Sequence, residues 1–317
     1  MRKLLSLLAA TVLFFSCQKS QTPVALDEGH PVKRSCATEE VLKAQLAEDP
    51  TLADRMNRIE AFTRKLMASG GWLRTAGTIN VPVIVHVLYN TAAENISDAQ
   101  IASQLDVLNE DYNLKNKDNT QVPSLFSNLK ADVGVQFTLA KTIRKKVSRK
   151  SWAPNDGMKF SKNGGDDAVD PARNLNIWVC NLGQNLLGYA QFPGGNPATD
   201  GVVILYAAFG RTGTLITPYD RGRTASHEVG HWMNLRHIWG DATCGDDLVD
   251  DTPQHTTANF GCPAYPHYNS CTDHAVEMTM NYMDYTDDPC MYMFSNGQKS
   301  RMLAVFAAGG PRASFAP

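Results

Sequence analysis

No charge of either sign dominates this chain: 30 Lys and Arg stand against 32 Asp and Glu, a formal net charge of −2 over 317 residues. Without a basic surplus there is no electrostatic footprint for nucleic acid, and that class of partner is excluded. Long hydrophobic runs are missing too. The sustained apolar stretch from Leu4 to Phe15 is too short to span a bilayer comfortably. A hydrophobic content of 43% suits a soluble globular protein rather than a multi-span membrane protein. Cysteines are few, seven in all, and unevenly placed. The length leaves room for a signal, a pro-segment and one enzyme domain with a sizeable core.

What is present gathers around one stretch, His227-Glu228-Val229-Gly230-His231-Trp232-Met233-Asn234-Leu235-Arg236-His237. Residues four apart share a helix face, so His227 and His231 present their imidazoles to one ion. Glu228, about a third of a turn away, is placed to act as a general base without ligating the metal. His237 joins the pair only if the chain turns sharply near Asn234, a residue type that tolerates the left-handed conformation. Three neutral nitrogens leave one zinc position open, which separates a catalytic from a structural site.

HEVGHWMNLRH resembles the H-E-x-x-H-x-x-G-x-x-H signature of the metzincin metallopeptidases, with Asn234 where the family usually carries Gly. Asn281-Tyr282-Met283-Asp284-Tyr285 resembles the Met-turn of the pappalysin branch, which includes the bacterial cytophagalysins, and the run from Leu187 to Pro193 resembles that branch as well. The resemblance runs from about Cys36 to the C-terminus. It implies an α/β (α+β) fold: a metzincin-type catalytic domain with a twisted mixed sheet, zinc helix, Met-turn and small disulfide-stapled C-terminal subdomain, preceded by a helical pro-segment. It implies a zinc endopeptidase with one catalytic Zn2+ held by His227, His231 and His237. Peptide or protein substrates are the expected partners, and the chain is expected to be a monomer. Met283 would be an apolar pedestal under the histidines, and Tyr285 would stabilise the tetrahedral intermediate or else be a core tyrosine.

The N-terminus reads as an export signal. Arg2 and Lys3 precede the apolar run, and Phe14-Phe15-Ser16-Cys17 resembles a bacterial lipobox with Cys17 as the acylated residue. The alternative is an ordinary secretory signal that happens to contain a cysteine. Residues 1–17 are therefore expected as signal, 18–74 as tether and pro-segment, and 75–317 as the catalytic domain. Outer-membrane or cell-surface lipoprotein, or secreted protein, are the expected locations, with membrane contact only through the lipid. Cys36 is either a disulfide partner for Cys180 or, as the resemblance implies, a cysteine switch whose thiolate fills the open zinc position.

Helices are expected at 39–48, capped by Thr38, and at 52–67, ended by Ser69-Gly70-Gly71. Arg64, Lys65 and Arg74 offer candidate activation cleavages. Alternating valines mark a strand from Ile79 to Tyr89, with Pro82 placing it near an edge or at its start. Ser97 caps a helix reaching about Leu114. Strands follow at 133–140 and 175–180, with the basic stretch 141–150 expected as a solvated loop. Residues 200–206 read as a strand, either the substrate-pairing edge or a core strand. A closing helix is expected at 297–308.

Between Gly240 and Pro253 the carboxylates crowd. Asp246, Asp247, Asp250 and Asp251, with Thr252, are candidate Ca2+ ligands or simply an acidic solvated loop. Cys244, Cys262, Cys271 and Cys290 allow three pairings; the resemblance implies Cys244–Cys271 and Cys262–Cys290. The resemblance implies a preference for Arg or Lys after the scissile bond, for which Asp287 and Asp288 could form the floor of a pocket. Two rivals stand against this reading. One is a zinc peptidase using a downstream glutamate such as Glu277 as third ligand; the other is a surface-anchored binding protein with a closed, structural zinc site.

Overall fold

The computed structural model describes residues 33–70 and 78–316. Cys17, Arg74 and the expected signal lie outside them. Two helices open the described chain, α1 (Thr38–Glu48) and α2 (Thr51–Ser69), the latter closed by Gly70 in the left-handed conformation at φ 62°. Thr38 does not cap α1. Its hydroxyl is spent elsewhere, donating to Glu228 Oε2 at 3.2 Å and accepting the Ala190 N–H at 2.9 Å.

The rest of the chain is built on a five-stranded sheet in the order β2-β1-β3-β5-β4, from β1 (Ile79–Tyr89), β2 (Val135–Lys146), β3 (Leu175–Cys180), β4 (Gly188–Ala190) and β5 (Val202–Leu205). All neighbours are parallel except β4, which runs antiparallel to β5. The alternating valines 81, 83, 85 and 87 of β1 are fully buried, as period-two burial of one face requires. Pro82 sits just before β3 joins β1 at Val83, where its missing N–H costs no ladder bond on that side.

Two expectations are corrected here. Residues 141–146 are not a loop but the second half of β2, whose Lys141, Arg144, Lys145 and Lys146 charge an outer strand and discourage edge-to-edge pairing. Nor is the segment at 202–205 the open edge. It is held on both sides, by β3 and β4, so that β4 is the last strand of the sheet on that side.

Helix α3 (Asp98–Asp111), capped by Ser97 accepting from the Gln100 N–H, lays Ile101, Leu105 and Leu108 into the core. Beneath β4 runs α4 (Arg223–Trp232), every residue of it buried. Beyond it the chain has little regular structure until α5 (Asn296–Ala304). Disulfides Cys244–Cys271 and Cys262–Cys290 staple this segment, closing loops separated by 27 and 28 residues. Cys36 and Cys180 are both free, so they form no disulfide with each other.

Candidate active site

Helix α4 ends one residue before the turn. Met233 N–H bonds back to Val229 and Gly230, Asn234 takes φ 74°, and the Leu235 N–H returns to the Gly230 carbonyl. That reversal brings His237 back beside His231. Asn234 thus does here what a glycine would do, because a short polar side chain tolerates the left-handed region.

The three rings converge. His231 Nε2 lies 3.1 Å from His227 Nε2 and 3.1 Å from His237 Nε2. Their other nitrogens are committed: His227 Nδ1 to the Tyr282 carbonyl at 2.7 Å, His231 Nδ1 to the Leu235 carbonyl at 2.8 Å, His237 Nδ1 to Asp241 at 2.5 Å. A carbonyl can only accept, so His227 and His231 carry their protons on Nδ1 and turn bare lone pairs on Nε2 toward one another. Opposed lone pairs at this range repel. A cation between them removes the repulsion, and the donor set fits Zn2+. Burial pushes all three imidazoles below their ordinary pKa, His237 to about 3, so they stand neutral and ready to ligate.

Glu228 lies on the same buried turn. Burial pushes its carboxyl up to about 8, against hydrogen bonds from Cys36 and Thr38 that pull it down. Gly188 of β4 passes so close that a Cβ there would come within 3.0 Å of Glu228 Cγ, so only glycine lets the rim approach the carboxylate. Met283 packs beneath α4: a Cβ on Gly230 would meet its Sδ at 2.5 Å. Asn281 holds this turn by accepting the Met283 N–H at 2.9 Å and exchanging hydrogen bonds with Gln298 of α5 at 2.8 and 3.0 Å.

Residues 34–38 lie across the cleft. Ala37 N–H bonds the Gly188 carbonyl and Leu187 N–H bonds the Ser35 carbonyl, so this segment pairs parallel to the β4 rim. Cys36 Sγ joins the histidines in one group whose ligand atoms all lie within 4.8 Å of one another. It is 3.2 Å from Glu228 Oε2, and its carbonyl accepts from the Tyr285 hydroxyl at 3.2 Å. Arg34 reaches down beside it. Its guanidinium donates to Asp288 Oδ1 at 2.5 Å, to Thr224 Oγ1 and to the Thr286 carbonyl, and lies over the Tyr219 ring.

Other expected residues separate. Asp288 is fully buried under Arg34, whereas Asp287 is partly exposed and takes no part in that pair. In the acidic loop, Asp247 is buried and shares its carboxylate with Thr252 Oγ1 at 2.9 Å, which also lies 2.8 Å from the Val249 carbonyl. Asp246 instead caps the Leu248 N–H, Asp251 bonds Ser295 and Gly297 at the start of α5, and Asp250 is exposed. The five candidate calcium residues therefore do not form one group. Glu277 is buried on the Thr256 N–H and Asn259, and is not among the group of ligand atoms around His227.

Arg34, Asp241 and the Thr38 contact with Glu228 escaped the sequence reading. Arg34, Cys36 and Thr38 do carry a signal: residues two apart in an extended segment point the same way.

Comparison with known proteins agrees with this geometry. The family model described as pregnancy-associated plasma protein-A, peptidase family M43, matches residues 158–307. An extracellular metalloprotease of Arthroderma otae is 34% identical over 244 residues, 74% of this chain and 80% of the relative. Mature Tannerella forsythia mirolysin in complex with a cleaved peptide is 47% identical with a TM-score of 0.73, covering 76% of this chain and 96% of that one. A T. forsythia promirolysin mutant is 42% identical with a TM-score of 0.79, covering 89% and 96%. The chain belongs to peptidase family M43, the pappalysin-type zinc metalloendopeptidases of the metzincin group.

Proposed function

We propose that the chain is an exported zinc endopeptidase made in latent form, in which residues 33–70 close the cleft and the later residues carry the chemistry. The observation that supports this most is the convergence of three imidazole lone pairs beside Glu228, with Arg34 and Cys36 laid across them. His227, His231 and His237 would hold zinc through Nε2. When bound, zinc supplies Lewis-acid polarisation of the scissile carbonyl and lowers the pKa of water in the cleft. Glu228 Oε2 accepts the proton of the attacking water and returns it to the leaving amine. The Tyr285 hydroxyl, held in the latent chain by the Cys36 carbonyl, donates to the oxyanion once that carbonyl is gone. Once residues 34–38 leave it, the rim of β4 pairs with the extended substrate backbone.

Latency on this reading has two parts. The Cys36 sulfur, as thiolate, takes the fourth position among the histidines, and Arg34 occupies the Asp288 pocket. A basic side chain following the scissile bond takes the place of Arg34, which gives the enzyme its preference for Arg or Lys there. Promirolysin covers 89% of the chain and mature mirolysin 76%, and this difference supports a removable N-terminal segment. Relatives named extracellular metalloproteases support export. A lipid on Cys17 belongs to the same reading, and palmitate labelling that survives Cys17→Ser would refute it.

Calcium belongs at Asp247, whose carboxyl burial pushes up to about 7 and whose oxygens gather with Thr252 Oγ1 and the Val249 carbonyl. Calcium should raise the melting temperature of wild type and not of Asp247→Ala; equal shifts would remove the site.

Casein hydrolysis by the processed protein, with and without a zinc chelator, tests the function. Hydrolysis abolished by chelator and restored by zinc is expected. A zinc-loaded, folded protein that cleaves nothing would leave a binding protein with a structural metal.

A further inference from the structure

Phe192, two residues past the β4 rim, lies against the histidine cluster. Its ring meets His231 edge-on with centroids 5.5 Å apart, and the Arg236 guanidinium lies 5.7 Å from its centroid. It is only 3% exposed, yet the apolar cluster that buries it otherwise consists of Leu42 and Leu52, with Leu46 and Met56 against them. All four come from α1 and α2.

The neighbours of Phe192 are gripped from the same two helices. Gln45 Nε2 donates to Gln191 Oε1 at 3.1 Å, and Arg55 Nε donates to the Gly194 carbonyl at 2.7 Å. Gly194 faces α2 so closely that a Cβ there would come within 2.9 Å of Ile59. Loss of residues 33–70 would therefore strip the apolar cluster from an aromatic ring beside the metal site. A bare ring in a cleft is a place where an incoming apolar group gains by excluding water.

Chain direction says which part of a substrate would arrive there. Arg34 fills the Asp288 pocket, Cys36 stands at the imidazoles, and Thr38 to Leu42 continue along β4 toward Phe192. If the Asp288 pocket takes the residue after the scissile bond, Phe192 faces residues before it. We propose that Phe192, rimmed by Arg236, is the floor of a subsite for a large apolar side chain within the three residues preceding the scissile bond, and that Leu42 and Leu52 occupy this subsite in the latent chain. The proposal rests on the endopeptidase reading above. The stem of Arg236 extends the apolar floor, while its charge turns away a basic side chain at the same position.

The test compares processed wild type with Phe192→Ala and Phe192→Leu on paired peptides. The paired peptides carry Arg after the scissile bond and either Leu or Ala at each of the three preceding positions; one control peptide carries Ala in place of that Arg. Wild type should favour Leu at one of these positions by about tenfold in kcat/KM, the discrimination a hydrophobic pocket gives. Phe192→Ala should lose most of that ratio and Phe192→Leu should keep it. Zinc content and the preference for Arg over Ala after the scissile bond should be the same in all three proteins, which separates a subsite from a mere prop for His231. Chelator-sensitive cleavage with no Leu preference in wild type, or a preference that survives Phe192→Ala, overturns the subsite. Absence of chelator-sensitive cleavage of every peptide overturns the endopeptidase reading and the subsite with it.

Discussion

At the scale of single residues, the site depends on which atom of each side chain is already committed. His227 and His231 give their Nδ1 protons to backbone carbonyls and so keep Nε2 free. Glu228 is instead hydrogen-bonded by Cys36 and Thr38. Removing its carboxylate should therefore leave the metal in place and remove the base. Glu228→Ala should retain zinc at wild-type stoichiometry and lose peptide cleavage by roughly 10³-fold, within the range for a general base. Full activity in zinc-loaded Glu228→Ala would refute this role. His227, His231 and Glu228 were legible because a helix converts a spacing of four into adjacency. Even His237 was legible once Asn234 was seen as a residue that tolerates φ of 74°. Arg34 was not. Its partner Asp288 is 254 residues away, and no local periodicity records a contact of that range.

At the scale of elements, α4 is held from α3. Tyr112 donates to the Ser226 carbonyl at 2.9 Å, and Ser226 donates to Asp111 at 2.6 Å. Burial pushes the Asp111 carboxyl up to about 6. Arg223 opposes the shift, but it spends its fork on Asp118 at 2.6 and 2.8 Å and reaches Asp111 only at 3.6 Å. Because the folded pKa is raised above its unfolded value, the associated stability is fully present below about pH 4 and is lost as pH rises through about 6. Asp111→Asn keeps an acceptor for Ser226 and removes the titration. Between about pH 5 and about pH 8, wild type should thus lose stability relative to Asp111→Asn in urea unfolding. A difference that does not change with pH would contradict this assignment.

Strands were legible where burial imposes alternation, as in β1. Strand β2 was read as stopping short because its outer half points charges into water, so composition there resembles a loop. β4 is three residues long, too short for any period to show, although it forms the rim of the cleft.

At the scale of the whole molecule, the N-terminal helices and the catalytic half are joined by few but specific contacts. Arg301 of α5 forks onto Glu60 of α2 and also donates to the Asn234 carbonyl, tying α2 to the turn that delivers His237. Arg34 and Asp288 form the buried end of the same interface, with side chains 1% and 0% exposed. Breaking one partner of such a pair strands the other charge and costs about 3–5 kcal/mol. Arg34→Ala should accordingly weaken latency, so that the unprocessed chain hydrolyses peptides well above the wild-type background; an equally silent unprocessed variant would show that Cys36 and the two helices suffice. Both disulfides pair as the resemblance implied, Cys244 with Cys271 and Cys262 with Cys290. The packing of the N-terminal helices on the rest of the chain was beyond the sequence, since it depends on surfaces that meet only in the folded chain.

The central claim is that three imidazoles share one ion. Anomalous diffraction at the zinc absorption edge from crystals of the processed protein measures it most directly. One peak is predicted, at about 2.0–2.1 Å from the Nε2 atoms of His227, His231 and His237. No peak there, or one coordinated by Glu277 in place of His237, would contradict the account.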